Sequence, residues 1–219
     1  MCTSHGSRGV EDGPRSGVSW GMVGGGGHGR SVADVLRRLG DSLSRVVAIS
    51  SPDWLEDDVE FFEDDDLLGF ADGGLQWVVA IGDCSRRLGI VKSLLSQGKL
   101  VSPVVAITAT VAPDVVLGAG TVVMEHAHIG SGTTIGIGVL VNTSAIVEHD
   151  VVIGEGTHIA PGSTVLGTAV VGSRTLIGSG GRVLSGVHVA DDCLVGAGAV
   201  VISDLPERSR VMGIPARER

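Results

Sequence analysis

IGSGTTIGIGVLVNTSAIVEHDVVIGEGTHIAPGSTVLGTAVVGSRTLIGSGGRV, residues 129–183, decides the fold. Stepping by six from Ile129 meets Ile135, Val141, Val147, Ile153, Ile159, Val165, Val171, Ile177 and Val183. The ladder continues outward without insertion through Val123, Leu117 and Val111 to Val105, and through Val189 and Val195 to Val201. A strand alone repeats every two residues and a helix every 3.6. A period of six requires a short strand and a sharp turn repeating as one unit. The aliphatic then points inward on each face. The next residue is often glycine (Gly118, Gly130, Gly136, Gly154, Gly172, Gly178, Gly196), and glycine tolerates the positive φ that a tight turn can require. The residue four places on is small, as at Ala127, Thr133, Ala145, Thr157, Ser163 and Ala169. Three such faces close a triangular coil, and coils stack about 4.8 Å apart into a parallel β-helix over residues 102–219.

Upstream, residues 18–101 read as a small α/β unit. Apolar runs at Val18–Val23, Val46–Ile49 and Trp77–Ile81 predict strands. Val32, Val35, Leu36 and Leu39 share one helical face, and Gly40 ends that helix. A second helix is predicted over Arg86–Gln97, and the alternation predicts a parallel sheet. Nine of the fourteen residues in DWLEDDVEFFEDDD, 53–66, are acidic, which predicts a solvated, mobile loop. Residues 1–17 are polar and predict a disordered tail.

Composition narrows the function. Of 219 residues, 35 are glycine yet 43% are hydrophobic, so low-complexity disorder does not fit. The formal charge is −9. Residues 1–102 carry 10 basic and 15 acidic side chains, and residues 103–219 carry 6 and 10. Neither half suits nucleic acid or an anionic membrane. Cys2, Cys84 and Cys193 form neither a disulfide framework nor a metal spacing, and the expectation is a cytoplasmic protein with reduced thiols and no metal. No apolar run nears the ~20 residues that span a bilayer.

Candidate chemistry lies in NTSAIVEHDVVIGEGTHIAPGS, residues 142–163. His149 falls on a turn beside Asp150, and His158 follows half a coil later. A neutral imidazole near pH 7 accepts a proton from an attacking amine. An adjacent carboxylate fixes its tautomer and stabilises the imidazolium that forms.

With GGGGHG at 24–29, IGDCSRR at 81–87, NTSAIVEHD at 142–150, THIAPG at 157–162 and GIPAR at 213–217, the chain resembles the hexapeptide-repeat sugar O- and N-acetyltransferases of the sialic-acid and bacillosamine type. The resemblance implies a left-handed β-helix, a homotrimer with sites between prisms, and direct acyl transfer from acetyl-CoA to the amine of a UDP-linked amino sugar. It implies His149 as general base oriented by Asp150. Asn142, His158 and the Gly167 N–H would lie at the acyl thioester, with Ala197, Gly198 and Arg217 along CoA. Gly26, Gly27, His28, Gly29, Gly82 and Asp83 would hold the sugar nucleotide.

Gly24, Gly26 and Gly29 also fit G-x-G-x-x-G between a strand and a helix, a phosphate-cradling pattern. A dinucleotide site needs an acid about 20 residues on, where Ser50 and Ser51 stand, so a nicotinamide oxidoreductase does not fit. The same serines replace the acidic pair that reads the nucleotide in the resembled family, which keeps a non-nucleotide amine or alcohol acceptor as the alternative. A γ-type carbonic anhydrase and a catalytically silent β-helix are the minor alternatives.

Overall fold

The computed structural model describes residues 17–63 and 74–218. Most of the expected tail, and residues 64–66 of the acidic segment, lie outside the described residues.

The chain begins with β1 (Ser19–Val23), α1 (Gly27–Arg38), β2 (Ser42–Ala48), β3 (Glu60–Glu63), β4 (Gln76–Val79) and α2 (Cys84–Ser96). These form a wholly parallel sheet in the order β3-β2-β1-β4. Strand alternation sends Trp20, Met22, Val46 and Val78 to one side, where α1 packs Val32, Val35 and Leu36. Val23, Val47, Trp77 and Val79 go to the other, against Val91 and Leu94 of α2. Gly40, just past α1, takes φ +79°, the left-handed geometry that stops the helix. Asp83 caps α2, its carboxylate accepting from the Arg86 N–H at 2.7 Å.

The acidic segment corrects the expectation of a solvated loop. It contains β3, paired with β2, and Trp54, Leu55, Val59 and Phe61 pack on the α1 side of the sheet. Phe62 packs on the other side. The described carboxylates of the segment are exposed, and Arg37 pairs with Glu56 and Arg45 with Glu60 at 2.7 Å. Five apolar residues set between the acids decide the structure.

From β5 (Val104–Val105) to β21 (Val200–Val201) the chain forms seventeen two-residue strands, whose second residues are the aliphatic ladder. The strands fall on three faces of a left-handed prism. The first face holds β5, β8, β11, β14, β17 and β20, extended by β22 (Arg210–Met212) and β23 (Arg217–Glu218). The second holds β6, β9, β12, β15, β18 and β21, and the third β7, β10, β13, β16 and β19. Pairing is parallel between successive coils, Leu140 opposite His158 and His158 opposite Leu176. Ladder residues from Val123 to Val201 are at most 1% exposed, each contributing about 1.5–3 kcal/mol of apolar burial. Val105, Val111 and Leu117, in the first coil, are only partly buried because no further coil covers them.

The turn geometry corrects the role expected of the glycines that follow the ladder. Their φ is ordinary. They are glycine because the next coil lies too close: a Cβ on Gly118 would meet the Gly136 carbonyl carbon at 2.5 Å, and one on Gly154 the Ser173 nitrogen at 2.5 Å. Positive φ falls two residues later, at Gly120, Gly138 and Gly156, but also at His126, Ser144, Asp150 and Thr168.

The α/β unit seals the first face. Val104, Val122 and Leu140 project outward from that face yet are buried in one cluster with Trp20 and Met22. The second and third faces are open, with Ile146, Val116 and Val152 exposed. No helix among the described residues is long and apolar enough to cross a membrane.

Candidate active site

His149 and Asp150 occupy the turn between β12 (Ile146–Val147) and β13 (Val152–Ile153), the vertex joining the second and third faces. Asp150 adopts φ +56°, and its carboxylate accepts from His149 Nδ1–H at 2.8 Å. That bond leaves Nε2 bare, the form that accepts a proton. Two glycines make room. A Cβ on Gly167 would fall 2.6 Å from His149 Nε2, and one on Gly132 would fall 2.5 Å from Asp150 Oδ1. The Gly167 N–H makes no hydrogen bond among the described residues. The imidazole side chain is 61% exposed in the single chain.

His158 opens β14 (His158–Ile159) on the first face, beneath the α/β unit. Its Nε2 accepts from Asn142 Nδ2 at 3.0 Å. The amide orientation is set by Asn142 Oδ1, which accepts from the Thr143 N–H at 2.8 Å. The Gly82 carbonyl lies beside the ring and favours its protonated form slightly. Burial, then the Arg87 cation and His28, hold the His158 pKa at about 3, so the ring is neutral. Arg87 is fully buried and donates to six main-chain oxygens, with the Cys84 thiol beside it.

A cleft of about 440 Å³ opens at the carboxyl ends of β1, β2 and β4, lined by the glycine run with His28, Ile49, Ser50, Pro52, Gly82 and Arg86. This is where ligands bind in open parallel sheets. The tight positions of the glycine run are 24, 25 and 29. Gly24 has φ +119°, a Cβ on Gly25 would meet Pro52 at 2.6 Å, and one on Gly29 would meet the Gly24 carbonyl at 2.2 Å. A Cβ on Gly26 or Gly27 would meet nothing among the described residues within 4 Å, which leaves that ground clear beside the first amides of α1. No side chain among the described residues caps α1. His28 Nε2 is buried without a partner among the described residues, and burial followed by the Arg87 charge lowers its pKa to about 4. Trp54 fixes the run from behind, Nε1–H donating to the Gly25 carbonyl at 2.9 Å.

Gly82 lines this cleft, but Asp83 does not. Asp83 is the cap of α2 and faces a second groove with Cys84, Arg174, Arg208 and Arg210. There Arg174 is committed to Asp192, at 2.7 and 2.8 Å, rather than free for a ligand phosphate. Ala197 and Gly198 are exposed on the vertex between the first and second faces, the vertex of Asn142. Arg217 is exposed on β23.

The expected site residues therefore form two groups. Asn142, His158 and the cleft belong to the first face and its α/β cover. His149, Asp150 and Gly167 stand on the vertex opposite that face, so one chain cannot bring the two histidines together. Arg87 and Trp54, which hold the first group in shape, were not singled out by sequence; their acceptors are main-chain oxygens, invisible in any side-chain pattern.

Residues 21–94 match the PglD N-terminal domain family, and residues 132–167 match the bacterial transferase hexapeptide family (six repeats). Among solved structures, PerB from Caulobacter crescentus, in complex with CoA and GDP-perosamine, is 34% identical with a TM-score of 0.85, over 92% of this chain and 97% of that one. The acetyltransferase domain of PglB from Neisseria gonorrhoeae, in complex with acetyl coenzyme A, is 29% identical with a TM-score of 0.85, over 93% and 100%. WeeI from Acinetobacter baumannii, at 20% identity and a TM-score of 0.64, shares the fold over 92% and 100%. No curated protein sequence matches the chain.

Proposed function

Because this chain belongs to the hexapeptide-repeat sugar N-acetyltransferases of the PglD and PerB type, and is an acetyl-CoA-dependent N-acetyltransferase, we propose that it acetylates the amine of a nucleotide-linked amino sugar with His149 as general base. The observation that carries this reading is the His149–Asp150 couple, with Nε2 bare and resting against Gly167.

The sugar nucleotide lies in the cleft, its diphosphate on the clear ground at Gly26 and Gly27, with the buried Nε2 of His28, unpartnered among the described residues, and the Gly29 amide beside it. Gly82 lines the floor. The deprotonated amine attacks the thioester carbonyl of acetyl-CoA, so a C–N bond forms as the carbonyl becomes a tetrahedral oxyanion. The free Gly167 N–H donates to that oxygen. His149 Nε2 takes the amine proton, and Asp150 stabilises the imidazolium. Collapse breaks the C–S bond, and the proton passes to the CoA sulfur. His158, locked neutral, holds the acetyl side with Asn142. Ala197, Gly198 and Arg217 border the CoA arm.

The site is completed between subunits of a homotrimer. This is supported by the placement of the two histidine groups on a face and its opposite vertex, and by the exposed aliphatics of the two open faces. Cys84 and Cys193 are free thiols, which suits a cytoplasmic setting.

PerB carries GDP-perosamine, so the nucleotide need not be the UDP that the resemblance implies. Ser50, in place of an acid, gives the cleft a neutral wall and favours as second reading an acceptor with no nucleotide. Thermal-shift measurements with UDP, GDP and free amines separate the two. The primary test is release of free CoA thiol with acetyl-CoA and GDP- or UDP-linked amino sugars. His149→Ala is expected to lower turnover at least ~10²-fold, the scale of a lost general base. Unchanged turnover overturns the assignment.

A further inference from the structure

Arg87 sits at the joint between the α/β unit and the prism, and nothing in the proposed reaction uses it. It is fully buried, where an unpaired guanidinium is costly. No carboxylate hydrogen-bonds it among the described residues; six carbonyls do. On the α/β side Nη1 donates to Ile81 at 2.8 Å, Gly82 at 2.9 Å and Asp83 at 3.5 Å. On the prism side Nε donates to Gly138 at 2.7 Å, and Nη2 to Gly156 at 2.7 Å and Thr157 at 3.1 Å.

These acceptors are not scattered. Ile81 and Gly82 line the nucleotide cleft. Gly138 and Gly156 are the positive-φ turn residues of two successive coils. Thr157 immediately precedes His158. The Gly82 carbonyl that accepts from Arg87 also lies beside the His158 ring, where it favours the protonated form slightly. One rigid, planar side chain therefore ties the wall of the cleft to the coil that presents His158. Lysine has no such fork.

We infer that Arg87 is a positioning residue, which fixes the distance and angle between the cleft holding the sugar nucleotide and the acyl-transfer site on the prism. Binding in the cleft does not use it directly, because Arg87 is not among the lining residues and meets the cleft only through the Ile81 and Gly82 carbonyls, while the clear ground at Gly26 and Gly27 belongs to the run that Trp54 holds. Productive alignment does need it, since small misplacements of bound reactants cost large factors in rate.

The inference rests on the reading of the cleft as the nucleotide site, and the test keeps the two apart. Arg87→Lys and Arg87→Met are compared with the wild-type protein for melting temperature, GDP and UDP affinity by calorimetry, KM for acetyl-CoA, and kcat with the preferred sugar nucleotide. Both folded variants are expected to keep nucleotide affinity and acetyl-CoA KM within about threefold while kcat falls at least ~30-fold, with lysine giving no rescue. A folded variant that retains kcat within threefold, or loses nucleotide affinity in step with kcat, overturns the inference. Wild-type protein that binds neither GDP nor UDP overturns the cleft reading instead. In that event, or if neither variant folds, hydrogen exchange of the Arg87 Nε–H in wild-type protein decides. Strong protection is expected from its bond across the joint to Gly138, and rapid exchange overturns the inference.

Discussion

Gly167 lies against the imidazole of His149, so close that a Cβ on Gly167 would fall 2.6 Å from Nε2 and 2.7 Å from Cε1. Its φ is ordinary, so alanine strains no backbone there. The only atoms it would strike belong to an exposed side chain that can swing away. Gly167→Ala is therefore expected to change stability by less than about 0.5 kcal/mol, as a surface substitution does. It is expected to lower kcat roughly 10²-fold by moving the base off its line of attack. Thermal melts beside CoA-release kinetics check both halves. An active Gly167→Ala enzyme would mean that the observed ring position is not the working one.

The prism is legible in the sequence because buried positions recur at fixed spacing, from Val105 to Val201, and any break would show as a polar residue at a sixth step. The His149–Asp150 couple is legible for a similar reason: the partners are adjacent in the chain. The support of the site is not. Arg87 and Arg86 stand side by side in IGDCSRR, and one-dimensional reading gives no cause to prefer the one that is buried. Trp54 is hidden among acids because they dominate the segment's composition while Leu55, Val59, Phe61 and Phe62 set its packing. Spacing puts His158 half a coil from His149, but only the three-faced cross-section turns half a coil into opposite sides of the prism.

Trp54 gives the acidic segment a function without any of its acids. Its indole N–H holds the Gly25 carbonyl at 2.9 Å, and so the curvature of the glycine run. Trp54→Phe keeps the ring and loses that bond, with a net value of about 1 kcal/mol. GDP or UDP affinity measured by calorimetry is expected to weaken roughly fivefold, with kcat at saturating nucleotide little changed. Unaltered affinity would show that the run holds its shape unaided.

Two half-buried imidazoles held in the neutral state make stability depend on pH. His28 is held down to about 4 and His158 to about 3, against 6.5 in the unfolded chain. Between those values the unfolded state binds more protons, so this stability is fully present above about 6.5 and is lost as pH falls toward 4 and 3. Each histidine contributes a slope of up to about 1.4 kcal/mol per pH unit in that window. Urea midpoints at pH 7, 6 and 5, at one fixed protein concentration, are expected to fall progressively. His158→Asn is expected to reduce the slope by about half. A flat profile from pH 7 to 5 would place both rings in contact with water.

The strongest test of the opposite-vertex arrangement uses two dead enzymes. His149→Ala removes the base from one vertex, and His28→Ala damages the cleft on the face across from it. If each site takes its base from one subunit and its cleft from the next, a mixed oligomer regains some sites with both groups intact. With equal and random mixing, each group is intact with probability one half, so about a quarter of the sites are restored. Co-expression of the two variants is expected to give about a quarter of wild-type CoA release, while each variant alone stays near background. Mixing the purified proteins without exchange of subunits should restore nothing, which separates shared sites from an additive trace of activity. If the co-expressed pair is as inactive as its parents in oligomers verified to contain both chains, base and cleft act within one chain. The two groups would then have to meet by a rearrangement of the α/β unit, against the contacts that Arg87 makes across the joint.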